Sequence, residues 1–270
     1  ELSNRLGDTS LALVYYEEAL RLARQLGEPN VLLYSLRQFA YARFISNQFE
    51  AAQQLMQETA NYLETVEELP LRATAQMHLG VQRIWSAHFP EGIRTLENAL
   101  PLLRSLGYRF GVVFGSMSLA IACVLNGEYV RAESLLQSIF PEAEQGGFPR
   151  EAAVELLTLG MAALVQGRFD PALDYFQQSV SRYRHMQFAG ELGWALGGLA
   201  LTQAASGQSE SARASLVEAL NIASKTHSMF TMITGLAAMV SFLAHSGHLA
   251  AALRVHRLAL MQPVHQNSRW

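Results

Sequence analysis

Small and apolar residues recur along the chain at helical spacing, and the whole pattern repeats every forty residues. One column of small residues, stepping by forty, is Ala12, Ala52, Gly92, Ala132, Ala172, Ala212 and Ala252. A turn-forming column lies five residues earlier, at Gly7, Asn47, Ala87, Gly127, Gly167, Gly207 and Gly247. A spacing kept over seven copies without insertion predicts a stack of equivalent structural units.

The two columns predict a helix hairpin in each unit. A glycine that adopts the left-handed conformation ends the first helix, and a small residue lets the two helices approach to roughly 8 Å where they cross. The predicted first (A) helices lie near 30–46, 70–86, 110–126, 150–166, 190–206 and 230–246. The predicted second (B) helices lie near 9–26, 49–66, 89–106, 129–145, 169–186, 209–226 and 249–262.

Prolines recur in one column well beyond the first turn of the predicted B helices, at Pro101 and Pro141. Proline has no N–H to donate, and its ring clashes with the carbonyl four residues earlier. We therefore expect these two helices to kink or break at the prolines.

A second small column completes the pattern. It consists of Ala40, Gly80, Ala120, Gly160, Ala200 and Val240, preceded by Phe39, Leu79, Leu119, Leu159, Leu199 and Met239. The combined motif Leu-Gly…Gly-x-Phe-x-x-Ala resembles the tetratricopeptide repeat over the whole chain. It is most similar to the forty-residue form in bacterial signal-transduction ATPases and maltotriose-sensing transcription activators. The resemblance implies an all-α, right-handed superhelical solenoid of antiparallel helix hairpins with about six and a half repeats.

The register predicts one solenoid domain over residues 1–270. It contains an orphan B helix at 9–28, repeats at 29–68, 69–108, 109–148, 149–188, 189–228 and 229–262, and a tail at 263–270. Solenoids need polar caps, whereas the first B helix carries Leu13, Tyr16 and Leu20 on its outer side. We expect the chain to be excised from a larger protein, with uncapped ends through which it can self-associate.

The composition limits the kinds of partner that the protein is expected to bind. Half of the residues are hydrophobic and the net charge is only −3, which argues against direct nucleic-acid binding. No apolar run approaches the roughly 18 residues of a membrane span, and the first residues lack a signal-peptide core. These features predict a cytoplasmic protein. The only cysteine, Cys123, lies in an apolar run and is expected to be a buried structural thiol.

Catalytic motifs are absent from the sequence. It has no phosphate-binding Gly-x-x-x-x-Gly-Lys-Ser/Thr loop and no His-Glu-x-x-His motif. His245, His248 and His256 have no carboxylate or thiol at ligand spacing to complete a metal site. We therefore predict no catalytic residue, metal or cofactor, and a protein that is not an enzyme.

The resemblance implies that the A helices line a concave binding groove. The residues that it places there are Tyr34, Arg37, Tyr41, Phe44, Trp85, Phe114, Met117, Met161 and Trp194. Only 16% of residues are charged, against roughly 25% in an average domain, so an open solenoid must expose apolar surface. The alternative is that these side chains form the core between repeats.

The resemblance further implies a ligand-sensing or protein-interaction scaffold, the sensor domain of a bacterial signal-transduction ATPase or transcription regulator. Its partner would be a protein, a peptide or a small-molecule inducer held in the groove. Two alternatives stay open at this point. The chain could be a free-standing adaptor, or the repeat appendage of an enzyme whose catalytic domain lies elsewhere.

Overall fold

The computed structural model describes residues 9–46, 48–64, 66–226 and 229–260, and over these residues it is all-α without a strand. Thirteen helices follow one another in this part of the chain: α1 (Thr9–Leu26), α2 (Pro29–Ile45), α3 (Phe49–Leu63), α4 (Leu69–Trp85), α5 (Phe89–Ser105), α6 (Arg109–Leu125), α7 (Tyr129–Gly146), α8 (Pro149–Val165), α9 (Phe169–Met186), α10 (Ala189–Ala205), α11 (Ser209–Thr226), α12 (Met229–His245) and α13 (Leu249–Leu260). The even-numbered helices are the predicted A helices. The all-α repeat fold is confirmed, although α3 ends three residues before its predicted end.

Buried small residues lie where the helices of a hairpin cross. Ala52 is 1% exposed, and Ala132 and Ala172 are fully buried. At Gly92 even a methyl group is too large, because a Cβ there would lie 3.0 Å from the carbonyl oxygen of Gly80. The column of small residues therefore sets the distance between the two backbones of each hairpin.

Left-handed residues end both kinds of helix, at intervals of about twenty residues. Positive φ angles occur at Gly27, Ala87, Gly107, Gly127, Gly147, Gly167, Gln187, Gly207 and Gly247. Seven of these nine residues are glycine, which adopts this conformation without steric cost. Ala87 and Gln187, with φ of 61° and 60°, do so with a Cβ atom.

Helices α5 and α7 continue through Pro101 and Pro141. Of the kink or break expected at the prolines, a break does not occur. Both proline rings are exposed, whereas neighbouring residues such as Leu100 and Ile139 are buried. Packing of that buried side holds the helix together across the missing hydrogen bond.

The chain divides into two compact units, Glu1–Ala122 and Cys123–Trp270. In the first, Leu20 of α1, Leu36 and Phe39 of α2 and Leu55 and Met56 of α3 form one buried cluster. Helix α2 thus packs against α3 of its own repeat and against α1 of the preceding one, as stacked repeats require.

The second unit also contains close helix contacts at glycines. A Cβ at Gly198 of α10 would collide with the ring of Phe176 on α9, and a Cβ at Gly160 of α8 would lie 3.0 Å from the same ring. At Gly197 a Cβ would lie 2.7 Å from Cβ of Thr234 on α12. The glycines of α10 therefore allow neighbouring helices to approach closely.

We expect Ala132→Leu to lower the free energy of unfolding by about 1–3 kcal/mol, because the larger side chain would force the two helices apart. Denaturant unfolding measures this change. The control is Ala214→Leu, since Ala214 is an exposed residue of α11 and should change stability by less than about 0.5 kcal/mol. Equal effects at the two positions would contradict a role for the small column in helix spacing.

We expect Ala87→Gly to raise the free energy of unfolding by about 0.5–1 kcal/mol, because the relief of left-handed strain outweighs the unfolded-state entropy that glycine adds. Gly127→Ala, at the equivalent turn one repeat later, should lower it by about 1 kcal/mol. A Cβ at Gly127 has no neighbour within 4 Å, so this pair isolates the backbone effect. Thermal unfolding measures both changes in stability. The two changes must have opposite signs if the backbone conformation is the cause.

Candidate functional site

Aromatic side chains on the A helices of the first unit form a partly exposed surface. Tyr34 and Tyr41 of α2 are 52% and 46% exposed, whereas Trp85 of α4 and Phe114 of α6 are half-buried. The ring of His78 on α4 lies 6.1 Å from that of Phe114, and so connects α4 with α6. We call Tyr34, Tyr41, His78, Trp85 and Phe114 the aromatic strip.

One cation lies beside this strip. The guanidinium carbon of Arg37 is 5.0 Å from the ring centroid of Tyr34, a cation–π distance. Gln38 donates a hydrogen bond from Nε2 to the Tyr34 hydroxyl at 3.1 Å. Burial lowers the pKa of His78 well below its usual range, and the charge of Arg37 lowers it further. His78 is therefore neutral at pH 7, so Arg37 supplies positive charge where His78 does not.

A small cleft opens between α2 and α4. Tyr41, Phe44, Gln82 and Trp85 line it, and its volume is about 20 Å³. The rings of Phe44 and Trp85 are 6.4 Å apart. Pockets that enclose small molecules measure roughly 300–1,000 Å³. The cleft can therefore take only one small group of a larger ligand that lies across the surface.

The structure separates the predicted groove residues into three groups. Tyr34, Arg37, Tyr41, Trp85 and Phe114 lie on or beside the aromatic strip, and Met161 and Trp194 are half-buried residues of the second unit. Phe44 and Met117 are only 8% and 4% exposed. Both side chains are therefore largely buried, although Phe44 also lines the cleft, and its ring lies edge-on to that of Phe49 at 5.4 Å.

Sequence reasoning missed two polar residues of this region, His78 and Gln82. A signal for Gln82 was present, since it occupies a column that otherwise holds Ala42, Ala122, Ala162, Thr202 and Phe242. A glutamine among small and apolar residues indicates a local role beyond packing.

A buried acidic side chain distinguishes the second unit. Glu155 of α8 is fully buried, and neither carboxylate oxygen has a hydrogen-bond partner. Burial raises its pKa to about 8, with the charges of Glu151 and Glu144 adding to the effect. Arg150 lies 3.5 Å from Glu151 and 3.0 Å from Glu191, so it pairs with these carboxylates and not with Glu155. Glu155 is therefore protonated at pH 7.

No three histidine, cysteine, aspartate or glutamate side chains among the described residues cluster as metal ligands. Of the helices in that part of the chain, none has the length and hydropathy to cross a membrane.

Comparison with known proteins supports the repeat class. The family model of the tetratricopeptide repeat matches residues 150–225. No curated protein sequence matches the chain. The resemblance seen in the sequence is thus confirmed at the level of a tetratricopeptide-like repeat fold.

Three solved structures have a similar fold. A Rap protein in complex with competence and sporulation factor has 12% identity over 93% of this chain and 85% of its own, with a TM-score of 0.69. A signal-transduction ATPase with a tetratricopeptide repeat sensor, from Pyrococcus horikoshii, has 13% identity and a TM-score of 0.64, covering 90% of this chain and 38% of its own. BtubC from P. vanneervenii has 17% identity and a TM-score of 0.61, covering 84% and 92%. At these identities the likeness shows the fold.

We expect Glu155→Gln to stabilise the protein more at pH 9 than at pH 5. The folded state holds a proton on Glu155 up to pH about 8, whereas an unfolded glutamate loses it near 4.5, so wild-type stability falls as pH rises between these values. Glutamine removes this dependence. The gain over wild type should grow by about 2–5 kcal/mol between the two pH values, measured by urea unfolding. An equal gain at both would mean that the carboxyl is not protonated in the folded protein.

Proposed function

We propose that the chain is a non-catalytic recognition scaffold whose aromatic strip binds an apolar segment of a protein partner. The observation that carries this proposal is the set of partly exposed rings on three successive A helices, α2, α4 and α6. Monomeric proteins rarely leave large contiguous apolar patches exposed, and tyrosine, tryptophan and arginine dominate binding hot spots.

The shape of the surface favours a polypeptide over an enclosed small molecule. The cleft beside Tyr41 and Trp85 has a volume of only about 20 Å³. The strip extends over three helices, and the exposure of its residues ranges from half-buried to half-exposed. A chain that lies across the rings can place one small group in the cleft and further apolar side chains against Tyr34 and Phe114.

We further propose that this recognition is the sensor step of a bacterial signal-transduction ATPase or transcription regulator in the cytoplasm. The forty-residue repeat is the form found in such proteins, and the fold resembles the ATPase with a tetratricopeptide repeat sensor over 90% of this chain. In this arrangement, binding at the strip alters the state of a catalytic or DNA-binding domain outside residues 1–270. Flanking sequence is the direct test: an ATPase phosphate loop supports the sensor role, and a protease or kinase domain contradicts it.

The strip itself is tested with the dye 8-anilinonaphthalene-1-sulfonate, which fluoresces on apolar protein surfaces. We expect Tyr41→Ser with Trp85→Ser to reduce dye fluorescence severalfold, because the two rings flank the cleft, while far-ultraviolet circular dichroism shows unchanged helix content. The control is Val130→Ser, which removes a single apolar side chain that is 78% exposed on α7. Dye binding that is the same in all three proteins would refute an apolar binding surface at the strip.

A further inference from the structure

The last described helix, α13, has an outer side that is both apolar and basic. Leu249 and Leu253, one turn apart, are 63% and 68% exposed. Arg254, His256 and Arg257 are exposed on the same helix. We call these five residues the α13 surface. Exposed leucines next to exposed arginines are typical of a helix that binds a partner and not of a solvated end.

The repeats before α13 show what packs against such a surface. The column of His256 holds Tyr16, Met56, Leu96, Leu136, Phe176 and Leu216, and the last five are buried. Phe176 lies against its own A helix and the next one, since a Cβ at Gly160 of α8 or Gly198 of α10 would come within 3.0 Å of its ring. This column is therefore where a following helix packs on a B helix. The shape that suits the α13 surface is a helix.

Two substitutions distinguish the α13 surface from an ordinary junction between repeats. His256 places an imidazole in a column that is otherwise apolar or aromatic. Arg257 belongs to a column whose other members are Glu17, Gln57, Glu97, Gln137, Gln177 and Val217, none of them basic. A helix that packs here must therefore offer polar or acidic groups beside its apolar ones.

The positive charge of this surface has no acidic counterpart on its own hairpin. Helices α12 and α13 contain no aspartate or glutamate. Glu218 of α11 is the last acidic residue of the chain, and it pairs with Arg184 of α9 at 2.6 Å. The sequence after α13, residues 261–270, also contains none. Charge complementarity therefore favours a partner that supplies carboxylates.

We propose that the α13 surface binds an acidic amphipathic helix of a partner protein. Leu249 and Leu253 contact the apolar stripe of that helix. Arg257, one turn beyond Leu253, pairs with a carboxylate at the edge of the stripe, where a charge-assisted hydrogen bond forms. This site lies in the second unit, and the proposal does not rest on the aromatic strip.

An anionic lipid surface is the competing occupant. Membrane-bound helices bury a broad apolar side in the bilayer and keep their basic residues on the other side. At 3.6 residues per turn, Arg257 and Arg254 lie between Leu253 and Leu258 around the helix. The exposed leucines are thus divided by charge, which suits a narrow helix–helix contact better than insertion into lipid.

The probe is a capped, fluorescently labelled peptide of three Ala-Glu-Ala-Leu-Glu-Ala-Leu repeats, compared with the same peptide carrying glutamine for every glutamate. Fluorescence anisotropy measures the binding of each to the whole 270-residue chain. We expect the acidic peptide to bind about fivefold or more tightly at low salt, and the difference to shrink as salt is added, because salt screens exposed ion pairs.

Variants locate the binding site. Arg254→Gln with Arg257→Gln should abolish the preference for the acidic peptide, and Leu253→Ser should weaken the binding of both peptides. The matched control is Arg213→Gln, which removes an exposed arginine from the neighbouring B helix α11 and should leave the preference unchanged. All these positions are exposed, so circular dichroism should show the same helix content in every variant.

Four results would overturn the proposal. Equal binding of both peptides to wild type means that charge is not recognised. A preference that survives in the double arginine variant, or disappears in Tyr41→Ser with Trp85→Ser, places the peptide elsewhere. Sedimentation of the protein with phosphatidylserine vesicles, without peptide binding, identifies lipid as the occupant. Binding of neither means that the α13 surface is no docking site in the whole chain, while the dye experiment on the strip keeps its own outcome.

Discussion

The close approach of paired helices at small residues is the constraint on which the rest of the structure depends. Gly80 and Gly92 bring two backbones so near that an added Cβ would lie within 3.0 Å of a carbonyl oxygen. The distance between the two backbones determines the way in which bulky side chains such as Leu96 fill the remaining space between the helices. It also determines which faces of α2, α4 and α6 are left outside the core, and therefore where the aromatic strip can lie.

Much of this fold could be predicted from the sequence, because each column of small residues marks a position at which two helix backbones approach closely. Ala132 and Ala172 are equivalent in sequence and equally buried, and the glycine turns coincide with positive φ angles. Helix α5 does not break at Pro101. The sequence shows the local cost of the proline, whereas the compensating burial of its neighbours depends on tertiary packing. Local preference and packing disagree at that position, and packing decides.

The candidate site was predictable only in part. Tyr41 and Phe44 lie three residues apart on one helix, yet the first is 46% exposed and the second 8%. Both residue types suit a binding groove, so their different exposure arises from the rotation of the helix about its axis within the stack. Sequence periodicity does not define that rotation to within one residue. The unpaired amide of Gln82 could not be predicted from the sequence, because whether a side chain has a hydrogen-bond partner depends on residues from other helices.

Because each helix packs only against near neighbours in sequence, cooperativity is local in this chain. Side-chain hydrogen bonds between helices join residues 41 positions apart, as between Arg150 and Glu191 and between Thr231 and Gly190. Low contact order of this kind favours rapid folding, and an array of this kind opens one repeat at a time. A ligand segment laid across α2, α4 and α6 would bridge repeats that otherwise communicate only through the one between them. Binding of the ligand would then change the opening of these repeats from stepwise to concerted. Such a change requires no movement within any single repeat.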